Sequence, residues 1–437
     1  MAVGVVQKPK NEAKKLSDIV CCVVDQGLFV DFACKLAETY KKVYYHNPSV
    51  ATQFPVMQVG EIGRGFKGIT LVRSWEEVLD ECDLCAFPDI NHGALQQHLA
   101  DLGKRVWGSR LAERLECDRV FAKKKLAELG LPVGDYVVIT GVEDLREYLK
   151  AHRNCHIKIS YYRGMFESFK SKNYAFSKML VNKIAYKLGP LADHTEFIVE
   201  ANLPGKIEVA VDAYCIDGVF PSQCMVGLEI KDLGYLGVFC DYEKIPEPIT
   251  RFDRAIGPYM KENNYRGFYS AENRIGDDHV PYMIDPCLRA GSPPSELYQE
   301  MYTNLAEIVW KGAGGECVDP VCPAKFGAEI MIHASFAEND YQQIEFPEEY
   351  RRYIKLRNAI KVDGEYYIMP QPVGMPEVGA VIGWGDTIQE AFSEAREVAE
   401  SIEGYTVEFH EGSLDKAEAE LETAKDLGID ILKAKAA

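Results

Sequence analysis

Over the first quarter of the chain, short apolar runs bounded by polar turns alternate with stretches of helical period. Ile19-Val-Cys-Cys-Val-Val24 reads as a buried strand, Leu28 to Tyr40 as a helix, and Lys42-Val-Tyr-Tyr45 as a second strand ending at His46-Asn47-Pro48. The alternation continues with a helix from Trp75 to Glu81, strand Leu84-Cys-Ala-Phe87, a helix from Gly93 to Leu102 and strand Arg105-Val-Trp107. This order predicts a parallel sheet with helices on both faces, whose ligands gather at the carboxyl ends of the strands. Asp25, Gln26, Asp89, Asn91 and His92 fall at those ends. Turn formation or helix capping accounts for them as well as substrate contact does.

From Glu116 the pattern changes. Asp118 to Gly130 reads as a helix capped by Asp118 and stopped by Gly130, with Arg119 in its first turn. Strand Tyr136-Val-Val-Ile139, a helix from Val142 to Ala151 and strand His156-Ile-Lys158-Ile159 follow, then a loop through Arg163, Gly164 and Ser168. A strand lysine at a cleft edge can face phosphates as a point charge. Glu196 to Tyr214 reads as strand, tight turn, strand. Tyr269-Ser-Ala-Glu272-Asn and Tyr282-Met-Ile-Asp285-Pro-Cys287 read as two strands joined by the turn Gly276-Asp277-Asp278-His279. In such a hairpin Glu272 and Asp285 can project to one point, with Arg289 just beyond. Mg2+ prefers one or two carboxylates plus phosphate oxygens and waters, and a guanidinium offers a planar fork. On the hairpin alone, solvated surface acids are the simpler account.

Composition narrows the class. A chain of 437 residues, 47% hydrophobic, is long enough for two or three domains with cores. Its net charge of -18 repels nucleic-acid polymers at long range, which favours a small-molecule substrate. No apolar stretch is long enough to span a bilayer and the N-terminus lacks an apolar secretory core, so the expected location is cytoplasmic, away from membranes. Thirteen scattered cysteines suggest reduced, mostly buried thiols. Cys82-Asp-Leu-Cys85 is a lone CxxC, better read as strand-end thiols than as a zinc or redox site. Gly63-Arg-Gly65-Phe-Lys-Gly68 matches GxGxxG but neither closes the first strand nor opens a helix, so it reads as a loop; there is no P-loop motif either.

Taken in order, these segments resemble the ATP-grasp superfamily, and within it the phosphoribosylamine-glycine ligase family. Glu116-Cys-Asp-Arg119-Val-Phe-Ala-Lys123 through Gly130-Leu-Pro132 resembles the segment with a phosphate-contacting lysine, whose place Arg119 takes. The resemblance implies that Lys158 is the second phosphate-binding residue, Glu200, Ala201 and Asn202 the adenine-binding segment, and Glu208 the ribose carboxylate. It also implies Glu272 and Asp285 as magnesium ligands. Phe326 to Ile332, Ile360 to Met369, Val378 to Gly385 and the helix Thr387 to Ile402 resemble the family's closing β-rich domain, down to Gly383-Trp-Gly-Asp-Thr-Ile-Gln-Glu-Ala391.

The implied fold class is α/β (α+β). It comprises a Rossmann-like N-terminal domain (1–110), an ATP-grasp core of two α+β subdomains (111–325, lid about 119–202) and a β-rich C-terminal domain with terminal helices (326–437). The implied reaction is ATP-dependent carboxylate-amine ligation through an acyl phosphate, with ATP and Mg2+, or Mn2+ in its place, as cofactors. Arg289, Lys158 and Arg119 are the expected catalytic cations. Asp25, Asp89, His92, Arg289 and Ser292 are the candidate substrate contacts. A monomer or homodimer is expected.

Several positions depart from the family pattern. The glycine-rich lid is represented by a loop with only Gly164, where Arg163, Ser168 and Lys170 are candidate replacements; Cys287 stands where Asn is usual. Arg289-Ala-Gly-Ser292-Pro-Pro294 loses two acids, and Leu233-Gly-Tyr235-Leu-Gly237-Val238 replaces a glycine-rich substrate segment. Three expectations therefore stand together: a ligase with a changed acceptor, a phosphoribosylamine-glycine ligase of purine biosynthesis, and a nucleotide-binding sensor or scaffold that has lost ligation.

Overall fold

The computed structural model describes residues 14–47, 61–161, 168–201, 203, 205–230, 233–371 and 376–436. Its first layer contains β1 (Val20–Val24), α1 (Val30–Ala37), β2 (Lys42–His46), β3 (Ile69–Leu71), β4 (Leu84–Ala86), α2 (Gly93–Asp101) and β5 (Arg105–Trp107). The strands form a parallel sheet in the order β3-β2-β1-β4-β5, as the alternation predicts. β3 has no counterpart in the sequence reading, because its residues are exposed or only partly buried and form no apolar run. The helix expected from Trp75 to Glu81 is only a 3-10 turn, Trp75–Glu77, capped by Ser74. Glu76 and Asp80, and Glu77 and Glu81, would stack like charges four residues apart in a helix.

The GxGxxG segment is a docked loop. Gly63 N–H donates to Ala359 O (2.9 Å) and Lys361 N–H to Arg64 O (2.7 Å). Gly65 has φ +76°, and a Cβ there would meet Lys361 O at 2.1 Å, so this contact requires glycine.

After α3 (Arg114–Cys117) and α4 (Arg119–Glu128) come β6 (Tyr136–Thr140), α5 (Val142–Ala151), β7 (Cys155–Ile159), β8 (Ser168–Ser171), α6 (Tyr174–Leu188) and β9 (Glu196–Ala201). These strands form an antiparallel sheet in the order β6-β9-β7-β8, with α5 and α6 burying Leu145, Leu149, Val181 and Ile184 against Ile157 and Phe197.

The largest sheet begins with β10 (Ile207–Ile216), β11 (Gln223–Ile230) and β12 (Gly234–Asp241), then α7 (Glu247–Glu262), β13 (Arg266–Ile275), β14 (Tyr282–Cys287), α8 (Ser295–Met301) and α9 (Leu305–Ala313). It continues through β15 (Phe326–Ala334), β16 (Gln342–Ile344), β17 (Ile354–Leu356), β18 (Ala359–Val362), β19 (Glu365–Ile368), β20 (Glu377–Gly385), α10 (Ile388–Glu400), β21 (Val407–Phe409) and α11 (Ser413–Asp426). Nine of these strands form one sheet in the order β14-β13-β10-β11-β12-β15-β20-β17, with β21 also on β15; β16, β19 and β18 form a small separate sheet.

Two features of this topology were not visible along the chain. β9 and β10, read as strand, turn, strand, do not pair; the chain passes there from the four-stranded to the nine-stranded sheet. The C-terminal strands β15, β20 and β17 extend the sheet that begins at β14, through the antiparallel pairing of β12 with β15. The entrance to α10 is a full capping box, Thr387 with Glu390, which accounts physically for the Thr-x-x-Glu part of the motif there.

All thirteen cysteines are free and eight of them are buried, which agrees with reduced core thiols. Among the described residues no helix is long and apolar enough to cross a membrane.

On α7, Asp253 is fully buried and accepts hydrogen bonds from Tyr269 (2.7 Å) and Tyr242 (3.4 Å). Burial raises its pKa to about 8 against those two bonds. The folded chain therefore keeps this proton to about pH 8, whereas an unfolded aspartate releases it near pH ~4. Its contribution to stability is largest on the acid side and is lost as pH rises through that window. Urea midpoints measured across the range should fall less steeply for Asp253→Asn than for wild type.

Candidate active site

The register of β10, β13 and β14 sets out a grid of side chains on one face. Glu272 lies opposite Asp285, with Ala210 on its other side; Ser270 lies between Asp212 and Cys287; Arg274 lies between Glu208 and Tyr282. Residues directly opposite on antiparallel strands share a face, so Glu272 and Asp285 point the same way. A bulge follows Glu272 in the β13–β14 pairing.

The four-stranded sheet brings cations to this row. Lys158 on β7 donates to Asp285 Oδ2 (2.9 Å) and to Ile284 O (3.1 Å), and its Nζ lies 3.5 Å from Glu200 Oε2. Arg119 opens α4, where Asp118 accepts from Phe121 N–H (2.9 Å) as the cap. Its Nη1 donates to Ile159 O (2.6 Å), and its Nε is 3.6 Å from Asp285 Oδ1. Arg119, Lys158 and Glu200 are all buried. Burial alone would lower the Lys158 pKa, but the Asp285 and Glu200 carboxylates more than reverse that and leave it above the ordinary lysine value.

Lys123 had no role in the sequence reading, yet it is the closest partner of Glu200, with Nζ 2.5 Å from Oε1. It stands four residues after Arg119 on α4, the spacing that puts two side chains on one helix face, and that was the available signal. Leu115, Ala122, Leu126, Ile198 and Met283 complete a narrow cleft around these charges.

A second cluster joins the first layer to the end of β14. Arg289 Nε is 3.1 Å from Glu116 Oε1 and 3.7 Å from Asp89 Oδ1, while Glu116 Oε2 accepts from Leu288 N–H (2.6 Å). Asp89 and Arg289, both candidate substrate contacts, are thus brought together. Burial raises the Asp89 carboxyl and Arg289 opposes it. Glu116 is a further residue that sequence reasoning left without a role.

Other predicted positions are occupied differently. Asp25 is fully buried and holds its own turn, with Oδ2 accepting from Gly27 N–H (3.0 Å), Phe29 N–H (2.9 Å) and Tyr45 OH (2.6 Å). Burial raises its pKa to about 6 against those bonds. His92 precedes α2, but Glu113 is the cap, accepting from His92 N–H (3.2 Å) and Gly93 N–H (2.9 Å). Burial and then His46 lower the His92 pKa. Ser292 contacts Arg357, whose guanidinium also meets Glu296 and Glu377 (each 2.6 Å). Glu208 pairs with Arg274 across the strands. Ala201 ends β9, exposed; Asn202, Arg163 and Gly164 lie outside the described residues. On β8, Ser168 is level with Lys158 and Lys170 with His156.

The far end of the grid is closed. Tyr235 on β12 lies across Gly227 and Gly237, where added Cβ atoms would meet its ring at 2.0 and 2.8 Å. Its hydroxyl donates to Asp212 Oδ2, and Ser270 donates to Oδ1 (2.6 Å each). Burial raises Asp212 to about 7 despite both bonds. Burial likewise holds the Cys287 thiol far above its usual range, so Cys287 supplies neither a charge nor a hard oxygen ligand.

Among the described residues no group of three or more His, Cys, Asp or Glu gathers as a metal site. The donor set suits a cation that takes most of its ligands elsewhere: opposed carboxylates Glu272 and Asp285, flanked by cations that suit phosphates. Mg2+ bound to a nucleotide fits that description.

No family model matches the chain, and no curated protein matches it. Solved structures do. Phosphoribosylamine-glycine ligase of Thermotoga maritima matches with a TM-score of 0.65 at 18% identity, covering 90% of this chain and 99% of that one. The biotin carboxylase domain of Hydrogenobacter thermophilus 2-oxoglutarate carboxylase, in complex with MgADP, ADP and bicarbonate, matches at 0.62 and 13%, covering 92% and 98%. N5-carboxyaminoimidazole synthetase of Staphylococcus aureus complexed with ADP matches at 0.59 and 12%, covering 88% and 98%. The chain has the ATP-grasp fold. At these identities the likeness is one of fold, and it runs over most of both chains.

Breaking a buried ion pair from one side costs on the order of 3–5 kcal/mol, because the remaining charge stays desolvated. Lys123→Met should lower the unfolding free energy by roughly that much in urea. Adding Glu200→Gln should recover part of the loss, since the carboxylate that Lys158 alone then faces at 3.5 Å is gone.

Proposed function

We propose that this chain is an ATP-dependent ligase that joins a small-molecule carboxylate to an amine through an acyl phosphate. The observation that carries the reading is the meeting of Lys158, Arg119 and Lys123 with Asp285 and Glu200 in the cleft between the two antiparallel sheets. The solved structures support it: neighbours of the same fold are named as ligases, synthetases or carboxylases, and two of those cited contain ADP.

A carboxylate is a poor acyl donor because its leaving oxygen is too basic. Attack of the carboxylate on the γ-phosphate of ATP forms the acyl–phosphate bond and releases ADP. The amine then attacks the acyl carbon, phosphate leaves, and the amine's proton passes to solvent or phosphate. In this reading Arg119 and Lys158 spread the charge that grows on the transferring phosphoryl group. Glu272 and Asp285 would hold Mg2+, which supplies neutralisation of the phosphate oxygens when bound. Glu200 keeps Lys123 and Lys158 in place. In the same reading Arg289, held by Glu116 and Asp89, polarises the acyl phosphate for amine attack. No nucleophilic side chain is needed.

The acceptor is read as different from phosphoribosylamine and glycine. Tyr235 fills the bed formed by Gly227 and Gly237, and Ser292 engages Arg357. The un-ionised thiol of Cys287, beside the proposed metal position, favours a second reading, a nucleotide binder without turnover.

Purified protein with Mg2+, ATP and pooled carboxylates and amines should release ADP only when both pools are present. Lys158→Ala should lower that rate by about 100-fold or more, the scale of losing one preorganised donor to a developing anion. Asp285→Asn should raise the Mg2+ concentration needed for half-maximal rate. Release with phosphoribosylamine and glycine alone would assign the parent ligase activity; nucleotide binding without substrate-dependent release would assign the binder.

A further inference from the structure

A cavity of about 400 Å3 opens between α1, the docked loop that contains Phe66, and the segment from Glu348 to Tyr366. It shares no lining residue with the cleft around Lys158. Six cationic and four anionic side chains line it, a surplus of two positive charges in a chain whose net charge is -18. Its volume falls within the range of small-ligand sites, which favour seams between layers.

The cations are held in a fixed fan. Glu300, buried on α8, takes Lys35 (3.0 Å), Arg352 (2.7 Å) and Lys355 (3.0 Å) on one carboxylate. Burial would raise the Glu300 pKa, but Lys355, Lys35 and Arg352 together bring it down to about 2. Glu38 also pairs with Lys35 (2.9 Å), so these two carboxylates balance two of the three cations, and Lys67 adds to the one left over. Arg351 is fixed by Asp31 (2.6 Å) and stands over the rings of Phe66 and Tyr366, while Lys361 reaches the Tyr366 hydroxyl (2.9 Å). Lys67, exposed at the rim, adds a further positive charge.

A guanidinium has five N–H donors and an ammonium three, so Arg352 and Lys355 retain capacity beyond their bonds to Glu300. Lysines placed around a point together with an arginine fork suit an anion that concentrates two charges on one tetrahedral group. We propose that this cavity binds a phosphate-bearing small molecule, independently of the ATP cleft. The ligand's dianionic group sits against Arg352, Lys355 and Lys67 and balances the surplus that Glu300 and Glu38 leave. The inference does not depend on the ligase reading, because its residues and its readout are separate.

Equilibrium binding of inorganic pyrophosphate, by calorimetry at low and moderate salt, tests it on the full chain. Wild type should bind saturably, more weakly as salt rises, and Lys158→Ala should change Kd by less than about twofold. The double variant Lys67→Gln/Arg352→Gln alters only exposed side chains, and circular dichroism will check its fold. It should weaken binding at least tenfold, about 1.4 kcal/mol. Three results would overturn the proposal: no saturable binding at millimolar pyrophosphate, loss of binding in Lys158→Ala with none in the double variant, or citrate binding as tightly as pyrophosphate.

Discussion

Charge that leaves water must be matched, and in this protein the matching is done across layers. Lys158 belongs to the four-stranded sheet and Asp285 to the nine-stranded one, and their 2.9 Å contact closes the cleft between them. Arg289 at the end of β14 meets Glu116 before α4 and Asp89 beyond β4, so the same device joins the first layer to the large sheet. Arg357 with Glu296, and Glu300 with its three cations, repeat it at the seam with the C-terminal segment. A buried pair of this kind adds little net stability over apolar packing, but a misplaced layer would leave its charges stranded. The pairs therefore act mainly on which arrangement of layers is allowed.

The same charges define what the cleft can do. Asp285 holds Lys158 while standing opposite Glu272, so one row of the large sheet combines carboxylates with the cations that face it. One step along the grid the chemistry changes: Asp212 and Ser270 are buried, Cys287 is half-buried with an un-ionised thiol, and Tyr235 covers the glycines beside them. The end around Lys158 and Asp285 is charged and ordered by ion pairs, whereas the neighbouring end is closed by an aromatic ring and neutral groups. α8 ties this region to the separate basic cavity, carrying Glu296 against Arg357 near Ser292 and, one turn later, Glu300 at the cavity wall.

Periodicity was a good guide wherever burial was strong. β1 and β4 are continuous apolar runs, and β2 and β5 carry buried apolar residues after a leading Lys42 and Arg105; they read as strands without a fold in view. β3, with three partly exposed residues, carries no such signal. The turn at Trp75 looked helical by its apolar positions, but the acidic residues around it oppose a longer helix. At the candidate site, Arg119, Lys158 and the Glu272–Asp285 hairpin were picked out by the order of segments that resembles the ATP-grasp enzymes, since alone each also reads as a solvated charge. Lys123 and Glu116 were not singled out, since a charged residue on a helix looks alike whether or not a partner awaits it.

The sequence by itself determined the local elements, the parallel first layer, the hairpin and its two carboxylates, and the order of segments that resembles the ATP-grasp enzymes. Those follow from period, capping and turn chemistry, which act over a few residues. Only the tertiary structure decided that β9 and β10 part into different sheets, that β15, β20 and β17 extend the large one, and that Asp25 serves its own turn. It also decided which cation meets which carboxylate. Lys158 and Asp285 are 127 residues apart in the chain, and no local rule acts over that distance. Their pairing follows from the cost of leaving either charge buried alone once the sheets have packed.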